Sequence, residues 1–401
     1  MFAGAKWLTI LGLFLLLGCP DDQVEPIEPS SPPGEPIQFG TKGPDAGNQN
    51  APAPAVDAGA VANPDAGPGQ PVDAGPGAPA YRLKFIALGD VGESEVGQPH
   101  AGQYAVASAM KQVCTQEGGC DFAVMLGDNI YDEGVEDAED ARWSAVFEDP
   151  YAELDFPFYA TLGNHDYGSD PLSLTSGGAG LEPCRGEAQV AYAGVQTKFK
   201  MPGTFYQVFL ENVELVSLNT TAMFWADFSF AENLSCSYLT NVWSFEDENE
   251  KQETQLPLWA QSSTADWRIA FGHHPYLSNG RHGNAGAYEL GFEWSLPGSG
   301  TELKSFFENY IQGHFDLYLA GHDHSVQDMG EVGGTQWIVS GAGAKASEVE
   351  ARNDAPFYVA ELGFVLFDVT PSQMKMTFII VTENASGPAT WQVRHTRVVN
   401  R

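Results

Sequence analysis

Five times along the chain an apolar run ends in a glycine followed at once by a residue with a metal-binding side chain. The runs read RLKFIALGD (Asp90), CDFAVMLGDN (Asp128), FPFYATLGNHD (Asn164), WRIAFGHH (His273) and FDLYLAGHDH (His322 and, two residues on, His324). Carboxylate and amide oxygens suit hard cations, whereas imidazole suits zinc and the iron-group metals. The mixed set is too rich in nitrogen for a calcium or magnesium site and too rich in oxygen for a structural zinc. Three of the nine histidines take this position. One strand-end histidine would be unremarked, but this co-occurrence with two aspartates and an asparagine points to a metal site, and to one holding two ions.

Such side chains need elements that bring them together. A short apolar run closed by a turn signal reads as a buried strand. Glycine lets the chain turn sharply and lets another group come close. Five strands of one sheet are therefore expected to deliver these residues to a single sheet edge. AGQYAVASAMKQVC, DARWSAVFEDPYAE, TQLPLWAQSS and TELKSFFENYIQ carry helical signals, the last two just before site strands. Alternating strands and helices argue for an α/β sheet. The tail (TQWIVSGAGAK, YVAELGFVLFDVTPSQMKMTFIIVTE, TWQVRHTRVV) is β-rich and suggests a second, antiparallel-containing sheet with a turn at Thr370-Pro371-Ser372. The reading is one domain over 81–401, with irregular insertions near 220–256 and 284–300.

Formal charge is -34, which excludes nucleic acid as an electrostatic partner. An anionic substrate would need local positive charge, which metal ions supply. Residues 1–19 hold Lys6 and the apolar stretch WLTILGLFLLLG, too short to span a bilayer comfortably. Leu16-Leu17-Gly18-Cys19 resembles a bacterial lipobox, so a signal peptide ending at a lipidated Cys19 is expected. Residues 20–80 are rich in Pro, Ala, Gly and Asp, with PDAG and VDAG repeats, and read as a disordered tether. The expected location is the bacterial cell envelope, periplasmic or cell-surface, with the membrane as partner through the anchor. Four further cysteines suggest two disulfides, for which three connectivities are open. The short TQEGG between Cys114 and Cys120 favours that pair, with Cys184–Cys236 as the other.

GDVG, GDNIY, GNHD, GHHP and GHDH, in this order, resemble the signature blocks of the calcineurin-like metallophosphoesterases. Within that superfamily the chain is similar to the purple acid phosphatases of the small, tartrate-resistant type. The resemblance implies a four-layer α/β/β/α sandwich of two mixed sheets flanked by helices. Many members carry a histidine two residues after the first aspartate, where this chain has Gly92. Tyr131 stands where the purple acid phosphatases place a tyrosinate, which implies Fe(III) paired with a divalent ion (Fe, Zn or Mn). Carried over, Asp90, Asp128, Tyr131 and His324 would hold the first metal. Asp128, Asn164, His273 and His322 would hold the second, with Asp128 bridging. His165 and His282 match histidines that meet the substrate phosphate, and Asp166 is a candidate holder of His165. His274 is expected to support the ligands, and Arg281 to be a solvated loop residue. The implied activity is hydrolysis of small phosphate monoesters by attack of a metal-activated hydroxide. A phosphodiesterase and a non-catalytic surface-binding lipoprotein are the alternatives.

Overall fold

A computed structural model of the chain describes residues 81–168, 182–225, 245–285, 300–384 and 387–401. The expected signal peptide (1–19), the tether (20–80) and Cys236 lie outside the described residues. The strands are β1 (Leu83–Leu88), β2 (Phe122–Leu126), β3 (Phe158–Thr161), β4 (Phe199–Lys200), β5 (Tyr206–Leu210), β6 (Val213–Ser217) and β7 (Trp267–Phe271). They continue with β8 (Leu317–Ala320), β9 (Val326–Val332), β10 (Thr335–Ser340), β11 (Phe357–Val359), β12 (Gly363–Thr370), β13 (Gln373–Thr382) and β14 (Thr390–Asn400). The α-helices are α1 (Ala101–Gln116), α2 (Pro183–Val195), α3 (Thr220–Trp225), α4 (Phe245–Ser262) and α5 (Thr301–Phe306).

The site strands do not share one sheet. The first sheet runs β14-β13-β12-β1-β2-β3-β4 and the second β11-β9-β10-β8-β7-β6-β5. β1 to β4 are parallel, as are β6, β7, β8 and β10; the remaining strands pair antiparallel. The expectation of a single sheet edge is thus corrected: β1, β2 and β3 carry the aspartates and asparagine, while β7 and β8 carry the histidines. The tail likewise does not form a sheet of its own. β9, β10 and β11 extend the second sheet, and β12, β13 and β14 extend the first. Strand pairing is non-local, and an apolar run carries no mark of which neighbour it will take.

Central strands are apolar along their whole length because both faces are covered. The two inner faces form one core, in which Phe85 stacks on Phe122 and Phe367 with ring centroids 4.7 and 4.5 Å apart. The outer face of the second sheet packs Val216, Ala270 and Tyr318 against Leu256 of α4 and Leu303 and Phe306 of α5. Hydrogen bonds clip the sheets together near the ends that bear the site: Ser340 Oγ donates to the Ala87 carbonyl, and Thr161 Oγ1 to the Leu218 carbonyl, both at 2.8 Å. Farther off, buried Asp328 on β9 accepts from His395 Nε2 (2.8 Å) and Arg397 Nε (2.6 Å) on β14, a second tie between sheets.

Other elements depart from expectation in detail. The helix expected over 140–153 is only a short segment ending in a π-helical turn, Ser144–Glu148. The Asp140 carboxylate takes the Arg142 backbone N–H at 2.9 Å, so the turn starts late. The stretch 220–256, expected to be irregular, holds α3 and much of α4, whose first turn carries Glu246, Asp247 and Glu248. Acids there complement the helix dipole. The β5–β6 hairpin was not anticipated. Cys114 and Cys120 are disulfide-bonded with Cα atoms 5.2 Å apart. Cys184 is disulfide-bonded as well. Among the described residues no helix is long and apolar enough to cross a membrane.

Candidate metal centre

The turns after β1, β2, β3, β7 and β8 meet where the sheets converge. Asp90, Asp128 and His322 each take a left-handed backbone conformation (φ 58°, 49° and 69°). Such strain in non-glycine residues is held only where the surroundings over-determine it, and it clusters at functional sites. Gly163 and Gly321, just before Asn164 and His322, serve close approach. A Cβ on Gly163 would stand 2.2 Å from Asp128 Oδ1, and one on Gly321 would stand 2.6 Å from Asp90 Oδ2.

The side chains form two groups that share one carboxylate oxygen. In the first, the Tyr131 hydroxyl lies 3.1 Å from Asp90 Oδ1, 2.9 Å from Asp128 Oδ2 and 3.0 Å from His324 Nε2. In the second, His273 Nε2 lies 3.3 Å from the same Asp128 Oδ2, 3.0 Å from Asn164 Oδ1 and 3.1 Å from His322 Nδ1. All seven residues named from the sequence as ligands are therefore brought together.

The donor set fits cations. A phenol has one proton, so at most one of the three contacts to Tyr131 is a hydrogen bond given by its hydroxyl. Two carboxylate oxygens and an imidazole nitrogen converge on that hydroxyl, and a cation among them would balance the carboxylate charge. His273 Nδ1 donates to the Leu126 carbonyl at 2.9 Å, which leaves the Nε2 lone pair aimed into the second group. That is how a backbone carbonyl fixes the tautomer of a ligating histidine. The charge balance of the protein alone is lopsided. Burial, then Asp128, Asp90 and Glu93, push the Tyr131 phenol well above its ordinary range. Burial would lower His273, but Asp128 and Asp90 outweigh it and hold it up at about 9. His322 is driven well down by burial and by His282 and His274. Cations at these positions reverse that logic, favouring phenolate and neutral imidazole.

Gly92 has a structural reason. A Cβ there would stand 2.1 Å from the Asn129 carbonyl oxygen and 2.4 Å from Ile130 Cα. The Gly92 carbonyl accepts the Tyr131 backbone N–H at 3.0 Å. The segment that delivers Tyr131 thus lies against the place where a side chain at 92 would begin. Tyrosine at 131 and glycine at 92 are two halves of one arrangement.

His165 and His282 flank the groups. His165 is placed by its backbone N–H, which donates to Asp128 Oδ1 (3.0 Å), and its ring packs 4.4 Å from the Tyr131 ring. Its Nδ1 donates to the Asp132 carbonyl at 2.7 Å. Asp166, a candidate holder of His165, is turned to other groups, and the Asp132 carbonyl holds the His165 ring. The Asp166 carboxylate instead accepts the backbone N–H groups of Gly163, Asn129 and Ile130 and the Gln189 amide, at 2.7–3.1 Å. It locks the β2 and β3 turns to each other, although burial and Asp128 push its carboxyl up to about 7.

The His282 ring lies 4.2 Å from that of His322. Its loop wraps Asp323, which accepts from His282 N (2.8 Å) and Ser278 Oγ (2.5 Å). On the other side Arg352 Nη1 donates to the Gly280 carbonyl at 2.7 Å. Arg281 is exposed. Buried His274 supports the site: Thr220 Oγ1 accepts the N–H groups of His273 and His274 at 3.1 Å and donates to His274 Nδ1 at 2.9 Å. Asp166, Gln189, Asp323 and Thr220 were not singled out for these roles. Each acts on a turn distant in sequence and leaves no local signal.

Residues 83–326 match the family model described as calcineurin-like phosphoesterase. Purple acid phosphatase 4 of Arabidopsis thaliana is 27% identical over 322 residues, covering 77% of this chain and 83% of that protein. Tartrate-resistant acid phosphatase type 5 of Rattus norvegicus is 28% identical over 276 residues, covering 66% and 73%. Among solved structures, GAP50, described as the anchor in the inner membrane complex of Plasmodium, superposes with TM-score 0.55 at 20% identity, covering 80% of this chain and 89% of that one. At that identity the last likeness speaks for the fold alone.

Proposed function

The chain belongs to the calcineurin-like phosphoesterase family, and on that premise we propose that it is an exported phosphomonoesterase of the purple acid phosphatase kind. The observation that carries this reading is the pair of ligand groups sharing Asp128 Oδ2, with the Tyr131 hydroxyl set against two carboxylates and His324. Asp90, Asp128, Tyr131 and His324 would hold the first ion, and Asp128, Asn164, His273 and His322 the second. A phenolate is a hard anionic ligand, so the first site takes Fe(III) and the second a divalent ion of iron, zinc or manganese. When bound, the pair supplies Lewis acidity toward a phosphoryl group and makes water a stronger acid.

The remaining work falls to the chain's own side chains. His165, with its Nδ1–H committed to the Asp132 carbonyl, would as the imidazolium present Nε2–H as the group that contacts the phosphate and gives a proton to the leaving oxygen, ending as the neutral ring. His282, braced by Asp323, places a second donor near the phosphate. Local positive charge is required because the chain as a whole, at -34, repels anions. Cys19 and the low-complexity residues 20–80 support export and attachment to the cell envelope by a lipid, with the catalytic domain held away on a tether.

Purified protein assayed on an aryl phosphate monoester and the matching diester tests this. Monoester turnover in acidic medium, exceeding diester turnover, is the expected result. A protein that retains two metal ions and hydrolyses neither would leave the fold as a binding module.

A further inference from the structure

One lysine outside the ligand set is built against the metal centre. Lys345 lies in SGAGAK, after β10. Its backbone is pinned on both sides: Gly343 N donates to the Gly89 carbonyl at 3.1 Å, and Ser347 N to the His324 carbonyl at 2.8 Å. Those partners are the neighbour of Asp90 and His324 itself, both in the first ligand group. Held there, the Lys345 ammonium stands over the Tyr131 ring, 4.4 Å from its centroid. It is also ion-paired to Glu93, the residue after Gly92. A cation within about 6 Å of an aromatic face is attracted by the ring, and more strongly once the ring carries phenolate charge.

We propose that Lys345 tunes the Tyr131 ligand: its ammonium, held by the pinned backbone on both sides, stabilises negative charge on the phenolate ring, and Glu93 partly offsets it. The proposal rests on the reading of Tyr131 as a ligand of Fe(III). It makes Lys345 a positioning residue that acts through Tyr131. A phenolate donates electron density to a ferric ion, and the energy of that transfer sets the colour of the complex. A positive charge over the ring makes the electron harder to remove. The ammonium stands over the ring itself, whereas an ion held by the hydroxyl would lie past the ring's edge, so the donor level falls more than the acceptor level. With the ammonium present the absorption lies at shorter wavelength, and the ion is easier to reduce.

Visible spectra and iron content of wild type, Lys345→Met, Lys345→Arg and Glu93→Gln test this, with KM for an aryl phosphate measured alongside. Lys345→Met is expected to move the band to longer wavelength at unchanged iron content, and Lys345→Arg to bring it back. Glu93→Gln is expected to move it the other way, and it carries the test if Lys345→Met loses its iron. A raised KM in Lys345→Met with an unmoved band would make Lys345 a substrate contact and overturn the proposal. Bands unmoved in both Lys345→Met and Glu93→Gln would overturn it as well, while leaving the ferric reading intact. A wild type with no such band would overturn both.

Discussion

Asp128→Asn is expected to yield a folded protein that has lost its metal ions and with them about three orders of magnitude or more in turnover, ~4 kcal/mol of transition-state stabilisation. Asp128 Oδ2 belongs to both ligand groups, at 2.9 Å from the Tyr131 hydroxyl and 3.3 Å from His273 Nε2. A carboxylate there offers negative charge to two cations at once; an amide offers one neutral oxygen. The fold should survive, because the change is isosteric. The side-chain oxygen can still accept the His165 backbone N–H, and the new amide can donate to His273 Nε2. Metal content by elemental analysis and helicity by circular dichroism separate the outcomes. Two ions at wild-type stoichiometry in Asp128→Asn would remove Asp128 as the bridge.

His165→Ala is expected to lower turnover on an aryl phosphate by roughly 10²–10⁴-fold, the usual range for a positioned general acid, while keeping both metals. The two effects separate because His165 engages the metal groups through its main chain: the bond to Asp128 Oδ1 comes from the backbone N–H and persists in alanine. What disappears is the imidazole, held by the Asp132 carbonyl and packed on Tyr131. Substrates with poor leaving groups should suffer more than those with good ones, since only the former need the proton. Unchanged turnover would take His165 out of the mechanism. Loss of metal in proportion to activity would make it a structural prop.

Five of the seven donors were legible because each sits in its own short word, an apolar run, a glycine and a chemical residue, and a strand with its turn is a local event; His324 shares the word of His322, and Tyr131 was named through the resemblance. The β-rich tail and its turn at Thr370-Pro371-Ser372 were legible for the same reason. The division of those strands between two sheets was not. Phe85 pairs forward with Phe122 and also with Phe367, far along the chain, and nothing in either run names its partner. The residues that hold the site rigid were hidden in the same way. Asp166 ties turns after two strands, Asp323 anchors a loop some forty residues earlier, and Lys345 reaches Tyr131 from beyond β10. The absent side chain at Gly92 could be noted from the sequence, but its cause, the Asn129–Ile130 backbone lying against it, needed coordinates.

The central claim is that Tyr131 binds a ferric ion in a two-metal centre. Its most direct test is the visible absorption spectrum of purified wild-type protein beside Tyr131→Phe, each with metal analysis. The account predicts a broad visible band with iron in the wild type, and loss of that band in Tyr131→Phe. A colourless, zinc-only wild type with full phosphatase activity would contradict it.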